Sequence, residues 1–214
     1  LPGSRISSTC FSIFAFSVGS VLTRPFQPTL GVAAQQSSLR DVYRAGPDRA
    51  AGVLTDSIRP TPIAGLHVLP ADSRLTSADV PDLYFLQRCF ERSRLYSRYD
   101  HVLIDNAPGM EALQLCAIHA SHALFVPTEL KQFAVDGIVE MEQTLRRNYP
   151  TAPPITKVVP NFYRNTIRQN SFLLALRQLF PGRVTATAVP QDAVYDELVT
   201  DRKVLFLHRL YSRG

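Results

Sequence analysis

From residue 60 onward the chain alternates short, β-branched apolar runs with longer segments whose apolar positions recur at helical spacing. Leu66–Pro70 reads as a strand. Pro81–Tyr99 carries Leu83, Leu86, Phe90 and Leu95 close to the 3.6-residue period and predicts one helix. A strand is expected over His101–Ile104, a helix over Met110–Ala120, a strand over Ala123–Val126 and a helix over Ala134–Tyr149. The last part gives a strand at Ile155–Val159, a helix at Ile167–Phe180, a strand at Arg183–Val189 and a short helix around Ala193–Thr200. Near-continuous apolar strands between amphipathic helices require a sheet buried on both faces. The expected fold is therefore α/β, a three-layer sandwich with a mostly parallel central sheet and right-handed crossovers. Residues 1–60 show no clear period. Within them Phe11–Leu22 is apolar behind Arg5, with the length of a signal-peptide core but too short for a membrane span. No small-residue cleavage pattern follows it cleanly, so it reads as a buried N-terminal strand or a mistranslated start.

Composition narrows the class. The 214 residues are 45% hydrophobic and 19% charged, enough to bury a core and unlike a disordered chain. Cys10, Cys89 and Cys116 are too few for a disulfide framework and fit a reducing compartment. Of the basic residues only Lys131, Lys157 and Lys203 are lysine, so none precedes position 131. From Thr144 to Gly214 eleven Lys/Arg face four Asp/Glu, a local excess of seven. Such a balance suits a polyanion, and it equally describes a solvated face.

The sharpest local signal is the run Tyr99 to Gly109, YDHVLIDNAPG. An apolar strand ending in Asp105 places a carboxylate at the C-terminal edge of a parallel sheet, where ligands of such folds bind. There it can hold Mg²⁺ through water beside nucleotide phosphates, or merely cap the turn that follows. Cys116, His119 and His122 form C-x-x-H-x-x-H, but the spacing is atypical for zinc and no fourth ligand is evident, which favours helix-end packing.

From about Ser38 the chain resembles the ParA/Soj group of partition ATPases, within the MinD-like deviant-Walker class of P-loop NTPase-like proteins. The matching runs are Ser38–Tyr43, Ile58–Thr61, Gly65–Ala71, Tyr99–Gly109, Phe125–Glu129, Phe133–Gly137, Val159–Arg164 and Ala188–Asp192, in the family's order and spacing. The resemblance implies one domain over 38–214, lacking the family's final helix, behind an aberrant segment 1–37. It assigns Asp105 as the Walker B aspartate on the Mg²⁺ side, and Asn161, Pro190, Gln191 and Asp192 as loop positions flanking the adenine of ATP. It further implies a homodimer closed over two ATP molecules, a centromere-binding ParB-like partner, a cytoplasmic, nucleoid-associated location and nonspecific DNA binding through the C-terminal region. Arg164, Arg168, Arg177, Arg183, Arg202 and Lys203 are the candidates there, with Thr166 as the helix cap beside the first two. Lys203–Arg213 resembles a membrane anchor of MinD relatives, but its family position makes it an interior strand and turn; no membrane partner is expected.

One family feature is missing. The phosphate cradle is a Gly-rich loop with lysines, and here no Gly is followed by Lys. The next family strand survives as Val21–Gly31, with Thr23 and Pro25 where carboxylates belong. The expectation is a reading frame truncated or shifted upstream of about Gln27, with ATP and Mg²⁺ binding in doubt and hydrolysis lost. The alternative is a degenerate, nonenzymatic relative that binds DNA or a partner.

Overall fold

The computed structural model describes residues 11–16, 37–61, 63–107 and 109–192. Four parallel strands form the main sheet in the order β4-β1-β5-β6: β4 His101–Asn106, β1 Phe11–Phe16, β5 Ala123–Glu129 and β6 Ile155–Asn161. The apolar run near the N-terminus is thus a strand inside the sheet, hydrogen-bonded on both sides. Ala15 stands level with Asp105 of β4 on one side and with Phe125 of β5 on the other.

The register assigns faces. Val102, Ile104, Leu124, Val126, Thr128 and Val158 share one face, and those of β5 and β6 are fully buried. Leu103, Asp105, Phe125, Glu129 and Asn161 share the other, which is half-buried or open; Leu103 is 70% exposed. The near-continuous apolar strands predicted cover on both faces. Among the described residues burial is deepest on the first face, and Ala123 is buried on the second.

Helix α5 (Ala112–His119) connects β4 to β5, and α6 (Gln132–Asn148) connects β5 to β6. α6 buries Ala134, Val135, Ile138, Met141 and Leu145, the i, i+3, i+4 stripe that its sequence displays. α7 (Ile167–Leu179) opens where expected: the Thr166 hydroxyl accepts the Gln169 N–H at 3.2 Å. In the stretch without clear period, α1 (Leu39–Arg44) and α2 (Ala50–Ser57) pack Val42, Tyr43 and Leu54 into the core. The first is opened by Asp41, whose carboxylate accepts the Ser38 N–H at 2.7 Å and hydroxyl at 2.9 Å.

Three elements differ from the sequence pattern. The helix expected over 81–99 is two, α3 (Phe85–Arg92) and α4 (Leu95–Arg98), because Arg94 turns left-handed at φ 52°. Ser93 assists the break by donating its hydroxyl to the Phe90 carbonyl at 3.1 Å. The run Leu66–Pro70 gives only β3 (His67–Val68), antiparallel to β2 (Arg59–Pro60) and outside the main sheet. The strand expected over 183–189 reduces to two parallel bridges, Val158 of β6 with Val184 and, past the end of β6, Tyr163 with Pro190. Arg183 and Thr185 bond Val158, and Val189 donates to the Pro160 carbonyl and accepts from Tyr163, but Pro160 has no N–H to donate between these contacts. The helix expected at 193–200, the Val21–Gly31 segment and the Lys203–Arg213 run lie outside the described residues. Among the described residues no helix is long and apolar enough to cross a membrane.

Candidate functional site

In open parallel sheets, ligands bind beyond the strand C-termini where the chain reverses its direction of winding. Here that point is β1, whose sheet neighbours β4 and β5 lie on opposite sides. Asp105 closes β4 at this edge, beside the end of β1, as the sequence predicts. Its strand is parallel and, among the described residues, stands at one end of the four-stranded order. Desolvation raises the Asp105 carboxyl above the ordinary aspartate range, partly opposed by the Asn106 N–H it accepts.

That direction has a consequence for stability. A carboxyl whose folded pKa is raised destabilises the fold at pH values where it must ionise, and contributes nothing below the unfolded pKa. Asp105→Asn is therefore expected to melt at a higher temperature than wild type at pH 7, with the gain shrinking as pH falls toward about 4 and absent below it. Thermal melts of both proteins across that range check it. A variant less stable than wild type at pH 7 would assign the carboxylate a structural partner instead.

Sequence reasoning missed two groups at this edge. The Asn106 Nδ2 and Gln114 Oε1 atoms are buried without hydrogen-bond partners among the described residues. Gln114 lies against Gly109, whose φ of 146° is a glycine conformation; a Cβ added there would stand 3.6 Å from the amide carbon, an ordinary contact. The turn signature Ala107-Pro108-Gly109 was the available clue to this turn.

At β6 the expected base-flanking residues converge. The Asn161 side chain accepts the Phe162 N–H at 2.9 Å, holding a turn in which Phe162 has φ 52°. Tyr163 donates its N–H to Val189 O at 3.0 Å and accepts from Gln191 N at 3.0 Å, which fixes Pro190 and Gln191 beside that turn. The Gln191 side chain accepts from the Arg164 guanidinium, and Asp192 is exposed next to it. Asp105 and this platform are three strand spacings apart, about 14 Å.

ATP and Mg²⁺ can be tested against these residues. Asp105 has the position and charge to hold a metal through water. The sequence that follows β1, Ser17 to Arg24, holds one glycine and no lysine, so its residue types do not fit a Gly-rich, lysine-bearing phosphate cradle.

The candidate DNA residues separate. Arg164 and Arg168 flank the start of α7 and are exposed, Arg168 lying 5.9 Å from the Phe172 ring centroid. Arg177 is exposed in the last turn of α7. Arg183 is not available: its guanidinium clamps Glu142 at 2.6 and 3.2 Å and lies over the Phe180 ring at 4.9 Å. Burial alone would raise the Glu142 carboxyl, but Arg183 and Arg146 outweigh it and hold the group below its usual range. Arg202 and Lys203 lie outside the described residues.

The Cys116, His119 and His122 side chains face different neighbours. Burial raises the Cys116 thiol, which sits near the Tyr43 hydroxyl. His119 packs between the Tyr84 and Tyr149 rings, and His122 against Tyr96. Among the described residues no group of three potential ligands comes together.

Comparison with known proteins agrees with this geometry. The sequence profile of the AAA domain family AAA_31 matches residues 29–154. The chromosome partitioning protein ParA of Caulobacter vibrioides is 27% identical over 172 residues, covering 75% of this chain and 64% of that protein. The sporulation initiation inhibitor protein Soj of Bacillus subtilis is 23% identical over 167 residues, covering 74% of this chain and 66% of its own. The chain thus spans less than two thirds of the length of these relatives. Among solved structures, apo McdA of Cyanothece superposes with a TM-score of 0.72 at 15% identity, over 95% of this chain and 83% of that one. The cell division ATPase MinD of Pyrococcus furiosus gives 0.63 at 19% identity, over 89% and 75%. These likenesses identify the fold as that of P-loop NTPases. The collinear motifs, the strand order around β1 and the family profile agree, and the chain belongs to the AAA domain family AAA_31, as a ParA/MinD-like partition ATPase relative.

Proposed function

We propose that this chain is the ATPase-type domain of a DNA partition system that, in this sequence, has lost hydrolysis and keeps association with DNA. The observation that carries the reading is Asp105 at the end of β4, beside the winding reversal at β1, within a collinear ParA-like sequence. In such a system ATP and Mg²⁺ would bind at this edge, with Asp105 on the metal side and Asn161, Pro190, Gln191 and Asp192 near the base. Dimerisation, a ParB-like partner and a cytoplasmic, nucleoid-bound location would follow from the same assignment. The alternative within this reading is a nonenzymatic module that recruits DNA or a partner without any nucleotide cycle.

DNA contact is assigned to Arg164, Arg168 and Arg177, with Arg202 and Lys203 beyond the described segment. Arg164 bonds a neutral amide, which orients its guanidinium without cancelling its charge. Phosphate contacts release counterions, so affinity for a duplex should fall steeply with salt and ignore base sequence. Fluorescence anisotropy of wild type and Arg164→Ala/Arg168→Ala over a salt series tests it. The double variant is expected to reduce the slope of log K against log salt by about 1.8 units, roughly 0.9 per contact. Equal slopes, or tight binding indifferent to salt, overturn the assignment.

A further inference from the structure

A second basic surface lies far from these residues. An open groove of about 470 Å³ runs between α2 and the corner joining α3 to α4. Arg92, Arg94 and Arg98 line it together with the hydroxyls of Thr55, Ser93 and Ser97, and among the described residues no acid does. Its floor includes Gly52, where an added Cβ would meet nothing within 4 Å. All three arginines are exposed, and none joins an ion pair among the described residues. Arg88, one turn earlier on α3, is paired with Asp82, so partners are within reach on the same helix. Arg92 donates to the Pro47 carbonyl at 2.8 Å, and Arg98 reaches Thr55 Oγ1 only at 3.5 Å.

The placement of Arg94 points to an anion. It is the left-handed residue that ends α3, at φ 52° and ψ 36°. It also sits at the N-cap of α4, where a cation opposes the helix dipole, and one turn from the like charge of Arg98. Charge of one sign is thus concentrated against local electrostatic preference, with hydroxyl donors interleaved. The groove is open, whereas a small anion is best held in an enclosed pocket. An open basic channel suits an extended polyanion.

We propose that this groove binds the phosphodiester backbone of DNA, as a contact surface separate from the start of α7. The proposal rests on the reading of the chain as DNA-associated. The groove lies at the opposite end of the sheet from Asp105, since α4 ends at Arg98 and β4 begins at His101, while α7 begins beyond the C-terminal end of β6. A chain with both surfaces can hold two duplex segments.

The test compares Arg94→Asn/Arg98→Gln with Arg164→Ala/Arg168→Ala, each titrated with a fluorescent duplex over a salt series. Asn tolerates the left-handed backbone, and thermal melts report folding. Should the pair melt early, Arg92→Gln replaces it, with half the expected change. The groove pair is expected to reduce the salt slope by about 1.8 units, additively with the α7 pair. An unchanged slope for the groove pair beside a reduced slope for the α7 pair overturns the groove and leaves the proposed function standing. The reverse result supports the groove and removes the α7 assignment. Absence of duplex binding by wild type at the lowest salt overturns both. Pyrophosphate titrated against the arginine Nε–H NMR signals separates the sources of phosphate. Saturation of the groove signals by pyrophosphate, with duplex binding unaffected by the groove pair, overturns the proposal in favour of a small anion.

Discussion

Phe180→Ala is expected to lower the melting temperature by roughly 6–20 °C, the largest stability effect of any single truncation beside the C-terminal patch. Phe180 is 1% exposed at the end of α7 and belongs to the core cluster that includes Ile155, Val158 and Leu176. Truncating a buried aromatic ring to alanine costs about 3–5 kcal/mol, through lost transfer energy and the cavity left behind. In a domain of this size each kcal/mol moves the melting temperature by about 2–4 °C. A second loss compounds the first. The ring supports the Arg183 guanidinium at 4.9 Å, and Arg183 in turn holds Glu142 of α6 and donates to the Ile155 carbonyl of β6 at 3.3 Å. Removing the ring loosens the joint between α6, α7 and the sheet. Thermal denaturation followed by circular dichroism measures the shift, and a change of less than about 3 °C would show that the site collapses to fill the void.

ATP turnover by the purified chain is expected to lie at least about 10³-fold below that of an intact P-loop ATPase, and Asp105→Ala is expected to leave it unchanged. Phosphoryl transfer offers a protein little covalent chemistry to perform. Its catalysis is positioning and charge stabilisation by backbone N–H groups, a lysine and a metal. Removing a single preorganised donor typically costs about 10²–10³ in rate, and this sequence lacks the lysine and most of the glycine backbone after β1. The position of β1 sharpens the point. It identifies Ser17 onward as the segment that leaves the strand at the winding reversal, so the deficit falls at the phosphate end of the candidate site. Release of inorganic phosphate, measured with and without duplex DNA, decides the matter. Turnover abolished by Asp105→Ala would show that the edge of the sheet hydrolyses ATP without the cradle.

Much of the fold was legible because the information is local. β4, β5, β6, α5, α6 and α7 lie where apolar period and flanking turn residues predict them, and the Thr166 cap follows from its position before an amphipathic run. The period continues across Arg94 and so predicts a single helix over 81–99, while one left-handed residue ends α3. α1 and α2 were not predicted, although Ser38 and Asp41 carried a capping signature. The strand at 183–189 was over-read. Its residues suit a strand, but regular pairing needs N–H groups from its neighbour, and Pro160 withholds one.

The candidate site shows the same division. The sequence by itself determined that Asp105 ends an apolar strand and that no lysine stands before position 131, since both are properties of residue type and order. Only the tertiary structure decided that β1 lies between β4 and β5, that Asp105 shares a face with Asn161, and that Pro190 and Gln191 meet the end of β6. It also separated Arg183, spent on Glu142, from Arg168, which remains exposed. The physical reason is that helical period and turn chemistry act over a few residues. Parallel strand pairing and ion-pair choice join residues tens of positions apart, where packing and charge in three dimensions select the partner.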